Sequence, residues 1–319
     1  MVSSIITATG SYLPEKILTN DDLSKMVETS DEWIRERSGI TKRHIVAKDQ
    51  PTSDLAIRAA REALKAGHYK AEDIDGIVVA TSTPDTSMPS VATKVQHALS
   101  ISKGAAVDVA AACTGFVYAM SVAHGWIQTG IAKRVLVIGA EAMSNIIDWK
   151  DRGTCILFGD GAGAVVLEAS DDNKRGIKSI LLEANGEFGP LLTTNGGVST
   201  TQTAGHLFME GKEVFRHGVE KMASVTVDAM TKAGLKLEDI DWLVPHQANA
   251  RMITSIGRAL KVPAAKAVVT VDIHANTSAA TIPLALDVAS KDGRIKKGDI
   301  VAMPALGAGL TWGCCVISW

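Results

Sequence analysis

The sequence predicts an α/β chain in which one topology occurs twice. Five segments of the first half recur in the same order in the second half, each displaced by roughly half the chain. In both halves apolar runs alternate with helical patterns, which favours a mostly parallel sheet with helices on both faces. The polar stretch EASDDNKRG separates the repeats, so we expect an N-terminal half of residues 1–172 and a C-terminal half of residues 173–319.

The hydrophobic pattern predicts each element of the first half. Apolar residues at helical spacing between Leu55 and Leu64 mark the first helix face. Strand GIVVAT, helix SVATKVQHAL, strand AAVDVA, helix TGFVYAMSVAHGWIQTG and strand RVLVIGA follow. The last of these helices is apolar around most of its circumference, which predicts a buried central helix. The repeated segments are 4–14 and 179–190, 65–85 and 232–249, 105–120 and 267–286, 132–142 and 297–307, and 159–170 and 307–318.

Composition and charge exclude several classes of partner. The formal net charge is −2, so no global basic field favours nucleic acid or an anionic membrane. No apolar run approaches the ~18 residues that a membrane span needs, and the N-terminus lacks the pattern of a signal peptide. The four cysteines form no CxxC pair and show no zinc-ligand spacing, which predicts a reducing, cytoplasmic location and no metal site.

Cys113 stands in VDVAAACTGFVYAM, where a strand pattern gives way to a helical one. A packing role in the core is the first interpretation of Cys113, because cysteine is among the most commonly buried residues. A nucleophile is the alternative, since the amides and partial positive charge of a helix start stabilise a thiolate and an oxyanion. Cys155, Cys314 and Cys315 lie in apolar strand patterns, and we interpret them as packing residues.

His246 and Asn276 are the candidate partners of Cys113. The segment VPHQAN presents His246 just after an apolar strand, and HANTSAA is the repeat of the cysteine segment. The repeat assigns Asn276 to the place that Cys113 has in the first half. A pseudo-twofold axis would therefore bring Cys113, His246 and Asn276 together at the seam, the boundary between the two halves. The alternative is that PHQAN is an ordinary strand-to-helix cap, with Asn249 or Gln247 as the capping residue.

With AAACTGF, VPHQAN and ANTSAA in these positions, the chain resembles β-ketoacyl-acyl carrier protein synthase III, a family of thiolase-fold condensing enzymes. The resemblance runs the whole length, through TGSYLPE, TSDEWI, DRGT, FGDGAGA and GAGLTWG. It implies a thiolase fold whose two pseudo-duplicated halves form five layers, α-β-α-β-α. It also implies a cytoplasmic homodimer with no cofactor, in which a CoA thioester is a substrate.

The resemblance implies a two-stage Claisen condensation that starts fatty acid synthesis. Cys113 takes the acyl group of acetyl-CoA or another short acyl-CoA, and decarboxylated malonyl-acyl carrier protein then attacks the acyl thioester. His246 and Asn276 are expected to donate hydrogen bonds to the enolate, and the amides of Cys113 and Ala308 to form the oxyanion hole. The chain departs from the family at GAG, where three glycines are usual, and at Ala275, where glycine is usual.

The resemblance also implies three groups of binding residues. Those expected at CoA are Trp33, Arg37, Thr29, Arg152, Gly211 and Asn249. Those expected at the acyl carrier protein are Arg251, Arg258 and Arg216. Those expected at the acyl pocket are Met88, which the partner subunit contributes in the family, and Leu306.

Each binding prediction has a structural alternative. Trp33 and Arg152 match positions that stack on the adenine of CoA, but they also fit a core tryptophan and a surface ion pair. Arg251 and Arg258 lie seven residues apart on one helix face, which suits an acidic carrier protein or CoA phosphates, and equally a solvated face.

The sequence also bears on functions other than initiation of fatty acid synthesis. GDGAGAVV is not a dinucleotide loop, because its glycines precede a strand and not a helix. A relative that serves specialised metabolism or takes a longer acyl primer stays open. So does a non-catalytic acyl-CoA-binding homologue, although the intact set of Cys113, His246 and Asn276 argues against it.

Overall fold

The computed structural model describes residues 2–319, which form two large β-sheets of matching strand order together with ten helices. The strands are β1 (Ser3–Tyr12), β2 (Lys16–Thr19), β3 (Lys42–Ile45), β4 (Gly76–Ala80), β5 (Ala105–Val109), β6 (Arg134–Ala142), β7 (Asp160–Ser170), β8 (Gly176–Ala184), β9 (Leu192–Thr194), β10 (Leu207–Met209), β11 (Trp242–Leu243), β12 (Ile300–Gly307) and β13 (Thr311–Ser318). The helices are α1 (Asn20–Leu23), α2 (Asp31–Ser38), α3 (Thr52–Ala66), α4 (Val91–Ala98), α5 (Gly115–Gln128), α6 (Arg152–Cys155), α7 (Gly211–Lys232), α8 (Ala250–Ala259), α9 (Val271–His274) and α10 (Thr281–Lys291).

The two large sheets confirm the predicted duplication. The first has the order β1-β7-β6-β4-β5, and the second has the corresponding order β8-β13-β12-β11. A parallel bridge between Leu243 and Ala267 extends the second sheet where β5 extends the first. The expected division at residue 172 falls in the turn between β7 and β8, residues 171–175, and stays a prediction.

The prediction of mostly parallel sheets is wrong. β4 pairs in parallel with β5 and β6, but β7 is antiparallel to both β6 and β1. In the second sheet β12, β13 and β8 are antiparallel neighbours, and a short turn joins β12 to β13. A continuous apolar run reports that both faces of a strand are buried, and such burial occurs here whichever direction the strand takes.

The layers alternate as α-β-α-β-α. Helices α3 and α4 cover the outer face of the first sheet, and α7 covers that of the second, with α8 packed beside α7 in the same hydrophobic cluster. Helix α5 lies between the sheets and contacts strands of both, while α10 lies beside β1, β6 and β7. The apolar α5 is buried as predicted, through Phe116, Val117, Met120 and Ala123. The turns that precede α5 and α10 contact each other, so these two helices begin side by side.

Candidate functional site

The first elbow is the turn that leads from β5 into α5. Residues Ala112–Thr114 form a single 3-10 turn, and Ala112 has a φ of +46°, a conformation that is strained for a residue with a side chain. Cys113 is 7% exposed. A Cβ added to Gly307 would lie 2.7 Å from the Cys113 nitrogen, so only glycine lets β12 approach this turn so closely.

The second elbow leads into α10 and has the same backbone form. Residues Ser278–Ala280 form its 3-10 turn, and Ser278 has a φ of +51°. Counted back from the first residue of each helix, Ser278 corresponds to Ala112 and Ala279 to Cys113. The predicted equivalence of Asn276 and Cys113 is therefore wrong by three positions, because α9 and the residues after it lengthen the approach to this elbow.

Asn276 nevertheless reaches the seam, through the loop before β7. Its backbone nitrogen donates to the Leu157 oxygen at 2.9 Å, and its oxygen accepts from the Gly159 nitrogen at 3.1 Å. Its side-chain Oδ1 accepts from the Ser278 nitrogen at 2.9 Å. With that oxygen occupied, the Nδ2 group is the part of the amide that is available to donate to a ligand.

His246 follows β11 and is held at both its backbone and its ring. Its nitrogen donates to the Pro304 oxygen at 2.8 Å, and its Nδ1 lies 2.7 Å from the Thr281 hydroxyl. Burial lowers the pKa of His246 to about 3, so the imidazole is neutral at physiological pH. The Thr281 hydroxyl also lies 3.0 Å from the Ser278 oxygen, and it has one hydrogen to give. When that hydrogen goes to Nδ1, the ring carries its own hydrogen on Nε2 and is an uncharged donor.

Two cavities meet at Cys113. The Trp33 cavity, of about 320 Å³, is lined by Trp33, Arg37, Cys113, Gly153, Ile156, Leu157, Phe158, Leu192, Met209, Gly211, Val214, Phe215, His246, Ala248, Asn249, Arg251, Met252, Asn276 and Leu306. The Met143 cavity, of about 600 Å³, is lined by Ser82, Ala110, Ala111, Ala112, Cys113, Met143, Ile146, Phe158, Gly189, Leu192, Thr193, Thr194, Leu207, Ser278, Ala308, Gly309 and Thr311. The three residues predicted as catalytic thus share the Trp33 cavity.

The Cys113 thiol is protonated in the resting protein. Burial raises its pKa to about 12, against a smaller opposing effect of the hydrogen bond to Ser278. The sequence-based expectation of a stabilised thiolate is therefore not met, because the loss of solvent outweighs the favourable groups nearby. Attack by this sulfur requires an acceptor for its proton.

Ala308 lies beside Cys113 because the two turns are hydrogen-bonded to each other. The Thr114 hydroxyl donates to the Thr311 oxygen at 2.9 Å, and the Thr311 hydroxyl lies 3.2 Å from the Ala111 oxygen and 3.1 Å from the Ala308 oxygen. The turn between β12 and β13 is thereby held against the first elbow. Cys113 and Ala308 both line the Met143 cavity, as a shared oxyanion hole would require.

Trp33 is stacked between two guanidinium groups. The Cζ atoms of Arg37 and Arg152 lie 4.2 Å and 4.7 Å from the centre of its ring. Arg152 also donates to the Glu28 oxygen at 2.9 Å, next to Thr29, whose hydroxyl oxygen is buried without a partner. An adenine between Trp33 and Arg152 would need about 7 Å, two ring-stacking distances, so Arg152 must swing away to admit it.

The other predicted CoA residues lie at helix starts on the Trp33 cavity. Gly211 is the first residue of α7. Asn249 is the N-cap of α8, since its side chain accepts from the Met252 nitrogen at 2.8 Å. Asn249 therefore has the capping role that was the structural alternative and also faces the cavity. Gln247 bonds inward, to the Pro245 and Val268 oxygens.

The predicted carrier and acyl residues are only partly brought together. Arg251 and Arg258 line one surface groove beside α2, but Arg216 lines neither the groove nor a cavity and instead pairs with Glu213 at 2.7 Å. Met88 is 82% exposed and lines neither cavity within this chain. Leu306 faces the Trp33 cavity rather than the Met143 cavity.

Sequence reasoning missed three polar residues at the seam. Thr281 and Ser278 stand in ANTSAAT, where nothing separates them from ordinary helix-start residues. Glu141 had a visible signal, because it is a carboxylate inside the apolar strand RVLVIGAEA. Cys155 ends the short helix α6 and does not lie in a strand, but it is buried in a hydrophobic cluster, so its interpretation as a packing residue is confirmed.

Among residues 2–319, no group of three or more histidine, cysteine or acidic side chains has an arrangement that could hold a metal ion. Within the same range, no helix combines the length and the apolar character that crossing a bilayer requires.

Comparison with known proteins identifies the chain. A family model described as 3-oxoacyl-[acyl-carrier-protein] synthase III matches residues 107–186, and the model of its C-terminal part matches residues 230–319. A β-ketoacyl-[acyl-carrier-protein] synthase III of Rhodospirillum centenum is 54% identical over 99% of each chain. The crystal structure of 3-oxoacyl-[acyl-carrier-protein] synthase III from Aquifex aeolicus superposes with a TM-score of 0.95 at 43% identity, covering 99% of this chain and 100% of that one.

A priming β-ketosynthase from the R1128 polyketide biosynthetic pathway is also similar, with a TM-score of 0.93 and 32% identity over 99% of this chain and 96% of that one. Fold and similarity together define an acyltransferase of the thiolase fold, a condensing enzyme. Because the two family models together cover more than half of the chain and the relatives align along nearly all of it, the chain belongs to the β-ketoacyl-[acyl-carrier-protein] synthase III family.

Proposed function

We propose that this enzyme joins a short acyl-CoA, acetyl-CoA first of all, to malonyl-acyl carrier protein and so starts fatty acid synthesis. The observation that carries the proposal is that Cys113, His246 and Asn276 line one cavity, which Trp33 and Arg37 also line. A thiol, two uncharged hydrogen-bond donors, a cation and an aromatic ring suit a CoA thioester.

In the first stage the Cys113 sulfur attacks the thioester carbon and CoA leaves. Charge develops on the carbonyl oxygen during the attack, and the backbone nitrogens of Cys113 and Ala308 are the donors that we assign to it. The turn that carries Ala308 is tied to the elbow through Thr114 and Thr311, so these donors are set before the substrate arrives.

In the second stage the malonyl group loses carbon dioxide and its carbanion attacks the acyl group on Cys113. The negative charge passes to the thioester oxygen, where His246 Nε2 and Asn276 Nδ2 are the assigned donors. A neutral donor stabilises this oxygen without protonating the carbanion, and the low pKa of His246 keeps the ring neutral. These steps use hydrogen bonds and proton transfers alone, so we propose that no cofactor takes part.

The same proposal assigns the remaining residues. Arg152 and Trp33 take the adenine, with Arg37, Thr29, Gly211 and Asn249 along the rest of CoA. Arg251 and Arg258 meet the acidic carrier protein at the groove that they share. Arg216 is the weakest member of this set, because its guanidinium is engaged by Glu213.

We further propose a cytoplasmic homodimer. Met88 is 82% exposed in the single chain, more than any other large apolar side chain among residues 2–319. A partner subunit that covers it would bring it to the acyl pocket, whereas Leu306 acts from the Trp33 cavity. Sedimentation of the purified protein at several concentrations tests the dimer, and a monomer at all of them contradicts it.

A role in specialised metabolism is the second candidate, because the structure of a polyketide priming β-ketosynthase is also similar. The Met143 cavity, at about 600 Å³, has room for primers longer than acetyl. Rates with acyl-CoA primers of graded length, each with malonyl-acyl carrier protein, separate the two functions. A clear preference for long primers over acetyl-CoA would remove the initiation assignment.

The catalytic proposal has a direct test. After incubation with labelled acetyl-CoA, intact-mass measurement should show one acetyl adduct on the wild type and none on Cys113→Ala. An unmodified wild type would instead favour an acyl-CoA-binding homologue without activity. An equal adduct on both proteins would remove Cys113 as the nucleophile.

A further inference from the structure

Glu141 is a buried carboxylate with no cation beside it. It lies on β6 and is fully buried, and among residues 2–319 no ion pair includes it. Burial raises its pKa to about 7, while several hydrogen bonds act in the opposite direction. Burying a carboxylate without a cation costs free energy of folding, so its presence at the seam indicates a functional role.

Three groups from the loop after β4 donate to Glu141. The Ser82 nitrogen lies 3.1 Å from both carboxylate oxygens, and the Thr81 and Thr83 hydroxyls lie 3.2 Å and 2.6 Å from Oε2. The Thr83 hydroxyl oxygen itself accepts from the Ala142 nitrogen at 2.9 Å. Its hydrogen is therefore free to point at the carboxylate, and the ionised form of Glu141 is well satisfied.

The fourth donor connects Glu141 to the nucleophile. The Ser278 hydroxyl donates to Glu141 Oε1 at 3.1 Å, and Cys113 Sγ lies 3.5 Å from the same hydroxyl oxygen. The donor chain thus runs from the thiol to the hydroxyl to the carboxylate. Ser278 lines the Met143 cavity beside Cys113, whereas Glu141 is shielded behind it.

The other charged groups near Glu141 are engaged elsewhere. Asp160, on the adjacent strand β7, accepts from the Ser144 nitrogen at 2.8 Å. Asp85, beyond the loop that binds Glu141, pairs with Lys94 at 3.0 Å. The Cys113 thiol is the titratable group that faces Glu141 from the other side of Ser278.

We propose that Ser278 and Glu141 form a relay that takes up the Cys113 thiol proton when the acyl group is transferred, and returns it when the sulfur is released. This inference rests on the acyl transfer proposed above. Glu141 acts on the sulfur only through Ser278, so it is a positioning residue that holds the proton and does not touch the substrate.

The protons balance over both stages. During acylation the sulfur–carbon bond forms, the thiol proton passes to Ser278 Oγ, and the hydroxyl proton of Ser278 passes to Glu141 Oε1. CoA leaves as a thiolate and takes a proton from solvent. During condensation the new carbon–carbon bond forms and the Cys113 thiolate leaves the acyl carbon. Glu141 then protonates Ser278, and Ser278 protonates the sulfur.

The surroundings favour this acceptor over the nearby histidine. His246 is neutral with a pKa of about 3, which makes it a weak base, and its Nδ1 is occupied by Thr281. A carboxylate whose pKa is about 7 is available in its ionised form near neutral pH and holds a proton readily once it has one. The relay also keeps that proton away from the carbanion, because Glu141 is enclosed behind Ser278.

The test is the pH dependence of the first turnover with acetyl-CoA, measured by rapid quench and intact mass. The wild-type rate should rise with pH through a midpoint near 7. Glu141→Gln and Ser278→Ala should each lose that midpoint and acylate about 10²-fold or more slowly, and the double variant should be no slower than either single one. Ser278→Ala is expected to fold, because Ala112 already adopts the same backbone conformation.

Two further variants separate the relay from a structural role. Thr83→Val removes a hydrogen bond to ionised Glu141 and should move the midpoint to higher pH. Glu168→Gln, a matched change on β7 that removes the acceptor of Arg134, should leave the midpoint unchanged. Slower acylation with an unchanged midpoint in Ser278→Ala would overturn the relay. A wild type that forms no adduct at all would instead overturn the proposed function.

Discussion

The two elbows of this chain have nearly the same backbone but carry different side chains. Ala112 and Ser278 adopt φ values of +46° and +51°, and each is followed by the turn that starts a central helix. At the next position the first elbow has Cys113, which faces two cavities, and the second has Ala279, which faces neither. The duplicated fold therefore supplies two equivalent positions, of which only one is open to a substrate.

Each elbow packs on a strand of the other half. Gly307 of β12 lies against Cys113, and Gly139 of β6 lies against Ala279. Near that second contact, Glu141 of β6 reaches Ser278. The first half thus contributes Cys113 and the buried carboxylate, and the second half contributes His246, Asn276 and Ser278 beside them. The site exists only where the halves cross.

Moving the thiol from one elbow to the other gives the largest expected effect. The double variant Cys113→Ala/Ala279→Cys should form no acetyl adduct, because Ala279 is 1% exposed and has no cavity in front of it. Intact mass after acetyl-CoA measures this. The single variant Ala279→Cys is the control and should be acetylated at Cys113 alone. Acetylation at position 279 would show that the two elbows are interchangeable.

Removing the donors of the second half should separate the two stages. His246→Ala and Asn276→Ala should each slow condensation by about 10²–10³-fold, because each removes a donor to the enolate oxygen. The acetyl adduct should still form, since that stage uses the backbone amides of Cys113 and Ala308. Quenched-flow measurement of both stages tests this, with His124→Ala, whose ring bonds Ser4 at a distance from the seam, as the control. Equal losses in both stages would contradict the separation.

The strand glycines test how tightly each elbow is held. A Cβ at Gly139 would lie 2.3 Å from the Ala279 oxygen, closer than the 2.7 Å between a Cβ at Gly307 and the Cys113 nitrogen. We expect Gly139→Ala to lower the free energy of unfolding by about 3 kcal/mol and Gly307→Ala by about 1–2 kcal/mol. Urea unfolding measures both. Gly125→Ala, where a Cβ meets nothing, should be neutral or stabilising, and the reverse order for the two strand glycines would contradict the comparison.

Acid should lower the free energy of unfolding through His246 of the second half. In the repeat of residues 65–85 and 232–249, the corresponding residue of the first half is Ala80, which does not titrate. The pKa of His246 is about 3 when folded and about 6.5 when unfolded, so its neutral burial costs nothing above pH 6.5 and progressively more below it. Between pH 7 and pH 5 this residue alone should lower the free energy of unfolding by about 2 kcal/mol. His246→Asn should show a correspondingly smaller acid loss in urea unfolding. The same loss in both proteins would mean that His246 is not buried neutral.

The sequence by itself determined the duplication and the buried central helix, and it marked Cys113 as the candidate nucleophile. Hydrophobic periodicity and a cysteine between a strand and a helix are visible within a few residues, and the duplication is visible because the same patterns recur in the same order along the chain. The motif around His246 was equally visible, since polar residues directly after a strand predict a functional site at the carboxyl end of that strand.

Only the tertiary structure decided the register of the second elbow, the strand directions and the protonation of the thiol. Asn276 was assigned to the wrong position because α9 shifts the alignment of the repeat, which side-chain patterns do not reveal. The contact between Cys113, Ser278 and Glu141 joins residues from three distant segments. The energetic cost of burying that thiol and that carboxylate depends on the atoms packed around them in space, and the order of residues along the chain does not specify those atoms.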